Sequence, residues 1–155
     1  MGLAKIVKKH GIKLIDSDAI TFEKQKKSAD NYDIGDIYLA DLPEVENSQV
    51  LHGKRLVVIL TNSNTDGYPV VQVVPLTSYK NDSGQKKKLF TFDVKVKKKK
   101  NPCLKETSIA RVKHLRAIPT NRLLKWLGKV NHEDLSDIQW NSRDMIGPVF
   151  LSDLI

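Results

Sequence analysis

The sequence is poor in the features that define several large protein classes. Of its 155 residues only Cys103 is a cysteine, so it carries no intramolecular disulfide and no multi-cysteine zinc site. No apolar run approaches the roughly 18 residues of a membrane span. The first turns of the chain are interrupted by Lys5, Lys8, Lys9, His10 and Lys13 and lack the apolar centre of a secretory leader. The Gly-rich phosphate loop, HExxH and GxSxG are all missing. His10, His52, His114 and His132 show no metal-ligand spacing. No pair of carboxylates falls in the basic region, where a metal-dependent nuclease wants them. The expectation is a basic, cytoplasmic, single-domain protein with no membrane contact and no cofactor.

What is present is positive charge in one place. The chain carries a net +8. Residues 80–116 hold thirteen basic and three acidic side chains, more than the whole excess, while residues 35–79 are net acidic. Such a concentrated field favours a polyanion: RNA, DNA, an acidic protein segment or an anionic membrane surface. Lysine runs are also often plain solvated segments. Here Leu89, Phe90, Thr91, Phe92, Val94 and Val96 lie between the runs, which reads as a strand flanked by lysines.

The residues before 35 read as two short helical pieces, an N-terminal extension over 1–34. From Gly35 the pattern turns to short strands: Asp36–Leu42, Leu56–Thr61, Val70–Thr77, Lys88–Val96 and Thr107–Ile118, the last bent or split in two. A polar loop, Glu44–Lys54, joins the first two. Towards the end, Thr120 is placed to cap a short helix over Asn121–Lys129, with Leu123, Leu124 and Leu127 inward. Asn131 is placed to cap another, from His132 to about Ile146. Several short strands in succession imply a compact antiparallel barrel or sandwich, here over residues 35–155.

Metal-free RNA cleavage is one chemistry open to such a chain. The 2′-hydroxyl is an internal nucleophile, so a protein has only to orient the phosphate, stabilise added negative charge and help two protons move. Arg, Lys, His and hydroxyl side chains suffice. They occur together in Gly53-Lys54-Arg55 and in Thr77-Ser78. Taken singly, Arg55 is also an ordinary surface arginine, Thr77 an ordinary β-branched strand end, and His114 an exposed or satisfied histidine. Trp126 and Trp140 read as core or dimer contacts before base-stacking platforms.

In order, the motifs form a set. Gly35-Asp36-Ile37-Tyr38-Leu39-Ala40-Asp41-Leu42 is followed by Gly53-Lys54-Arg55, an apolar strand ending in Thr61-Asn62, then Pro75-Leu76-Thr77-Ser78. Leu89-Phe90-Thr91-Phe92, Thr107-Ser108-Ile109, Leu115-Arg116-Ala117-Ile118 and Arg122-Leu123 complete it. This order resembles the MazF/PemK family of toxin endoribonucleases over about residues 35–140. The resemblance implies a small SH3-like or plasmid-toxin (MazF/CcdB-like) antiparallel β-barrel with a C-terminal helix, usually a homodimer. It implies metal-independent, sequence-selective cleavage of single-stranded RNA to 2′,3′-cyclic phosphate and 5′-hydroxyl ends. Its partners would be single-stranded RNA and an acidic antitoxin, with DNA binding as the antitoxin complex. By position, Arg55 and Thr77 match the catalytic pair. Gly53, Lys54, Ser78, Lys88, Ser108, Lys113 and His114 fall at or beside positions that line the RNA groove. The loop Glu44–Lys54 matches a mobile loop that covers substrate.

The chain departs from the pattern in two places. Leu56 stands where the family prefers proline, and Lys113-His114 where relatives often carry Glu-Gln. The histidine could supply a proton near neutral pH. Two other functions stay open: a basic RNA-binding module without catalysis, and a toxin on the same fold that binds DNA gyrase.

Overall fold

A computed structural model describes residues 31–63 and 67–147. The helical pieces expected over residues 1–34 therefore lie almost wholly outside the described residues. The elements are β1 (Asp36–Leu42), β2 (Gly53–Ile59), β3 (Val70–Ser78), β4 (Val94–Val96), β5 (Ser108–Ala110), β6 (Arg116–Pro119), β7 (Leu123–Lys129) and α1 (His132–Ile146). Every strand pairing is antiparallel.

The strands form one sheet in the order β4-β5-β3-β2-β1-β7, with β6 paired to β3 off this path. The sheet is not closed, because β4 and β7 end the path without pairing to each other. The long strand β3 serves two neighbours on one edge. Its first half, Val70 to Val73, pairs with β6, and its last residues, Leu76 to Ser78, pair with β5. A 3-10 turn at Val112–His114 separates β5 from β6, so the expected bent strand is two strands. The Arg111 amide donates to the Pro75 carbonyl at 3.0 Å, where β3 passes from one partner to the other.

The central strands read as nearly unbroken apolar runs because both faces of the sheet are covered. On one face Ile37, Val58, Val74, Leu76, Val94 and Val96 pack with Ile138 of α1. On the other, Tyr38, Ala40, Val57, Ile59, Val73 and Ile118 form a second cluster with Tyr32. Successive residues such as Ile37 and Tyr38 go to opposite clusters, as the two-residue strand period requires.

The helix α1 begins as its sequence implies. The Asn131 side chain accepts from the Asp134 amide at 2.8 Å, and Glu133 and Asp134 occupy the first turn, where acidic groups complement the helix dipole. Asn101, fully buried, ties the lysine-rich segment to this start. Its side chain accepts from the Asn131 amide at 2.7 Å and donates to Asp134 Oδ2 at 2.8 Å.

Three expectations need correction. Residues 121–129 are not a helix: β7 runs along β1, with two register irregularities. Residues 88–93 are not strand: the backbone turns at Phe90–Asp93, with Phe92 at φ 73°, and only Val94–Val96 pairs. The second strand starts earlier than its apolar run, at Gly53 opposite Leu42.

Candidate functional site

Three adjacent strands and β5 bring the two predicted chemical segments together. β2 carries Lys54, Arg55 and Leu56, with Arg55 opposite Ala40 of β1. The end of β3 carries Thr77 and Ser78, opposite Ile109 and Ser108 of β5. These residues line one open groove of about 460 Å³, floored by Leu39, Leu56, Leu76 and Leu127 and edged by Lys105, Glu106 and Lys125. Leu56 continues the ladder with Leu39 opposite it, so the strand needs no proline there.

Arg55 is half-buried and held by its own loop: its Nε donates to the His52 carbonyl at 2.9 Å. That leaves the rest of the guanidinium fork for a ligand. Gly53 opens the strand at φ +78°, a conformation that disfavours residues with a Cβ. Gly53 shapes this turn without lining the groove.

Thr77 has a partner that the sequence did not single out. Lys87 Nζ donates to Thr77 Oγ1 at 3.3 Å. The Lys87 backbone is fixed, since its amide donates to the Tyr79 carbonyl at 2.7 Å. A tight turn in which Asn81 receives the Gln85 amide at 2.9 Å folds the chain back to this point. Lys105 and Lys125 were also missed. Lysine counting alone cannot rank Lys87 above its neighbours; the hairpin that aims it is a product of the turn.

The structure separates the other expected groove residues from this site. Lys113 and His114 line a second concavity of about 570 Å³, with Leu51, Phe90, Asp93 and Arg111 among its walls. Lys88 lies beside the same turn, its carbonyl accepting from Arg111 Nη1 at 3.4 Å. Neither concavity shares a lining residue with the other.

His114 is fitted for anchoring. Its Nδ1 accepts from the Leu51 amide at 3.1 Å. Burial pushes its pKa below the ordinary 6.5, and the nearby Arg111 charge adds to this, partly opposed by Asp93, with smaller lowering contributions from Arg55 and Lys113. Arg116 fastens the same loop at both ends, donating to the Pro43 carbonyl at 2.8 Å and the Leu51 carbonyl at 3.3 Å. The base of the loop over 43–52 is thus pinned to the segment between β5 and β6.

In sum of charge, the groove offers an arginine, a lysine-bonded hydroxyl and three further lysines against one carboxylate, Glu106. Among the described residues, none of Lys54, Arg55, Lys87, Lys105 and Lys125 forms an ion pair. An excess of cations over carboxylates, with hydroxyl donors beside them on a leucine-floored groove, suits a phosphodiester.

Comparison with known proteins bears on the family and the fold. A family model described as "PemK-like, MazF-like toxin of type II toxin-antitoxin system" matches residues 33–143. No curated protein sequence matches the chain. Among solved structures, MazF from Deinococcus radiodurans is similar at TM-score 0.62 and 17% identity, covering 76% of this chain and 98% of that one. The Mycobacterium tuberculosis toxin MazF-mt6 is similar at TM-score 0.54 and 17% identity, covering 74% and 99%. A mycobacterial endoribonuclease in complex with its cognate antitoxin is similar at TM-score 0.55 and 16% identity, covering 76% and 96%. At such identities these structures speak for the fold.

Proposed function

The chain belongs to the PemK-like, MazF-like toxin family of type II toxin–antitoxin systems, and on that premise we propose that it is an endoribonuclease cleaving single-stranded RNA without a metal ion. The observation that carries this reading is the placement of Arg55 and Thr77 in one groove, with Lys87 bonded to the Thr77 hydroxyl and, among the described residues, no ion pair on the groove lysines or on Arg55.

The reaction follows from the groups at hand. The 2′-oxygen gives its proton to water and bonds to phosphorus, the P–O5′ bond breaks, and O5′ takes a proton from water. The products are a 2′,3′-cyclic phosphate and a 5′-hydroxyl. The Arg55 guanidinium clamps the non-bridging oxygens in a bidentate fork. Thr77 donates its hydroxyl to the same phosphate. Lys87, already bonded to that hydroxyl, orients it and adds positive charge as the phosphorane forms. Lys54, Lys105 and Lys125 steer the flanking phosphates, with Ser78 and Ser108 offering further hydrogen bonds.

The same groove gives the partner its chemistry. An acidic, partly disordered antitoxin segment would present carboxylates to these cations and exclude RNA. In this reading the protein works in the cytoplasm as a homodimer, with residues 1–34 as an appendage to the toxin domain.

The test is incubation of the protein with a long unstructured RNA in EDTA, beside Arg55→Ala, with both ends of the fragments mapped. Discrete fragments with 5′-hydroxyl ends, absent with the variant, are expected. Intact RNA that nevertheless binds the wild-type protein in low salt would leave a binding module instead.

A further inference from the structure

The turn that follows β3 is built without a core. Residues 80–86 are all exposed, so apolar burial does little to hold the chain there. Hydrogen bonds set its shape instead, and most of them meet at Asn81. The Asn81 amide donates to the Gln85 carbonyl at 2.8 Å, and the Asn81 carbonyl accepts from the Gly84 amide at 2.9 Å. The side chain is engaged as well. Its Oδ1 accepts from the Gln85 amide at 2.9 Å, and its Nδ2 donates to Gln85 Oε1 at 3.2 Å. Every polar group of Asn81 thus serves the turn.

The turn closes towards the groove. Lys80 and Lys86 form an antiparallel bridge behind it, and the Lys87 amide donates to the Tyr79 carbonyl at 2.7 Å. Tyr79 is tied to the segment entering β5, its amide donating to the Thr107 carbonyl at 3.0 Å. From this backbone position Lys87 Nζ meets Thr77 Oγ1 at 3.3 Å, ten residues back along the chain. Extended, ten residues reach about 33 Å. A lysine side chain also loses much rotamer freedom on being fixed, so the contact depends on the backbone arriving in the right place. A hairpin this short is marginal in water. An asparagine side chain that captures a backbone amide further on mimics a backbone turn and shifts the balance towards the closed form.

We infer that Asn81 is a positioning residue: it does not line the groove, but it locks the turn that places the Lys87 ammonium on the Thr77 hydroxyl. The inference rests on the endoribonuclease reading for what that ammonium does, and one arm of its test needs no RNA.

The experiment compares wild type, Asn81→Ala, Asn81→Asp, Lys87→Ala and the double variant carrying both alanines. Two quantities are read: kcat on a saturating fluorogenic RNA and, without RNA, exchange of the Lys87 amide by NMR after correction for intrinsic rates. Asn81→Ala is expected to lower kcat about 2- to 12-fold and to speed Lys87 exchange by a similar factor, the weight of one side-chain hydrogen bond. Asn81→Asp keeps an acceptor for the Gln85 amide and should recover most of both. In the double variant kcat should equal that of Lys87→Ala alone, because a residue that acts through Lys87 has nothing to place once the ammonium is gone. A general weakening of the fold would instead lower the double variant further. Losses that multiply in the double variant overturn the inference, as does Lys87→Ala that cleaves like wild type. Cleavage by wild type with unchanged kcat or unchanged Lys87 exchange in Asn81→Ala sinks the inference alone. Faster Lys87 exchange in Asn81→Ala, with no cleavage by wild type, sinks the endoribonuclease reading alone. No cleavage and no change in exchange sinks both.

Discussion

The two concavities hold positive charge in opposite ways. At the groove, Arg55 bonds a carbonyl and Lys87 bonds the Thr77 hydroxyl, and among the described residues neither forms an ion pair. In the pocket, Arg111 is bound to Asp93 and both are largely buried. A buried ion pair is part of the architecture, because removing one partner leaves the other charge desolvated. A cation with no counter-ion at a groove wall is poised for an anion that comes from outside. The difference marks Arg111 as part of the architecture and leaves Arg55 as the arginine proposed to meet a ligand.

The sharpest way to break this distinction is at the pocket. Asp93→Ala strands the Arg111 guanidinium and frees the Phe90 amide, and it is expected to cost about 3–5 kcal/mol of folding stability. Urea titration followed by circular dichroism reads this directly. A loss under about 1 kcal/mol, the range of exposed pairs, would show that Arg111 is as free as the groove cations.

At the groove the signature should reverse. Arg55→Ala is expected to leave the urea midpoint nearly unchanged while kcat falls roughly 10²- to 10³-fold, the effect of removing one preorganised donor from developing charge. A fluorogenic RNA substrate gives the rate. A large stability loss with Arg55→Ala would make it a structural residue like Arg111.

Lys87 sharpens the same comparison within one lysine run. Lys87→Ala should lower kcat/KM about 10- to 100-fold, as expected for a lost charge-assisted contact. Lys86→Ala, exposed one residue away, should change only the salt dependence of binding. Equal losses for the two would mean that the run acts as undirected charge.

How far the sequence alone reaches can be judged at particular residues. The strands β1 and β3 and the helix α1 were legible because an apolar pattern, a breaker and a cap agree in each. Thr77 and Arg55 stood out as candidates only through the order of the motifs, and their place in one groove depends on β2 pairing with β3. β7 misled because of its irregular pairing. Along it Trp126 faces Tyr38, Lys125 faces Leu39 and Leu123 faces Ala40, so Leu124 and Leu127 have no opposite residue on β1. Bulges erase the two-residue alternation, and the three leucines left at 123, 124 and 127 imitate a helical stripe. Phe90 and Phe92 misled differently. Their β-forming side chains predict strand, but the Asp93 carboxylate captures the Phe90 amide and closes a turn instead. A carboxylate three residues on is visible in a sequence; the buried Arg111 that fixes it there is not.

The smallest effect concerns the loop base that His114 holds. His114 accepts the Leu51 amide through Nδ1, which requires the neutral ring with its proton on Nε2. Its folded pKa is lowered from 6.5 by burial and by Arg111, so between that folded value and 6.5 the unfolded chain binds more protons than the folded one. Stability therefore rises with pH across this window, is fully present above it, and is lost as pH falls through it. The Leu51 contact should loosen over the same range. Amide exchange at Leu51, followed by NMR after correction for intrinsic rates, should speed up on acidification below pH 6.5 in the wild-type protein. In His114→Gln that acceleration should vanish, because a glutamine carbonyl accepts the amide at every pH. If both proteins show the same pH dependence, the loop base is held by Arg116 alone, and the pocket and the groove are not coupled through His114.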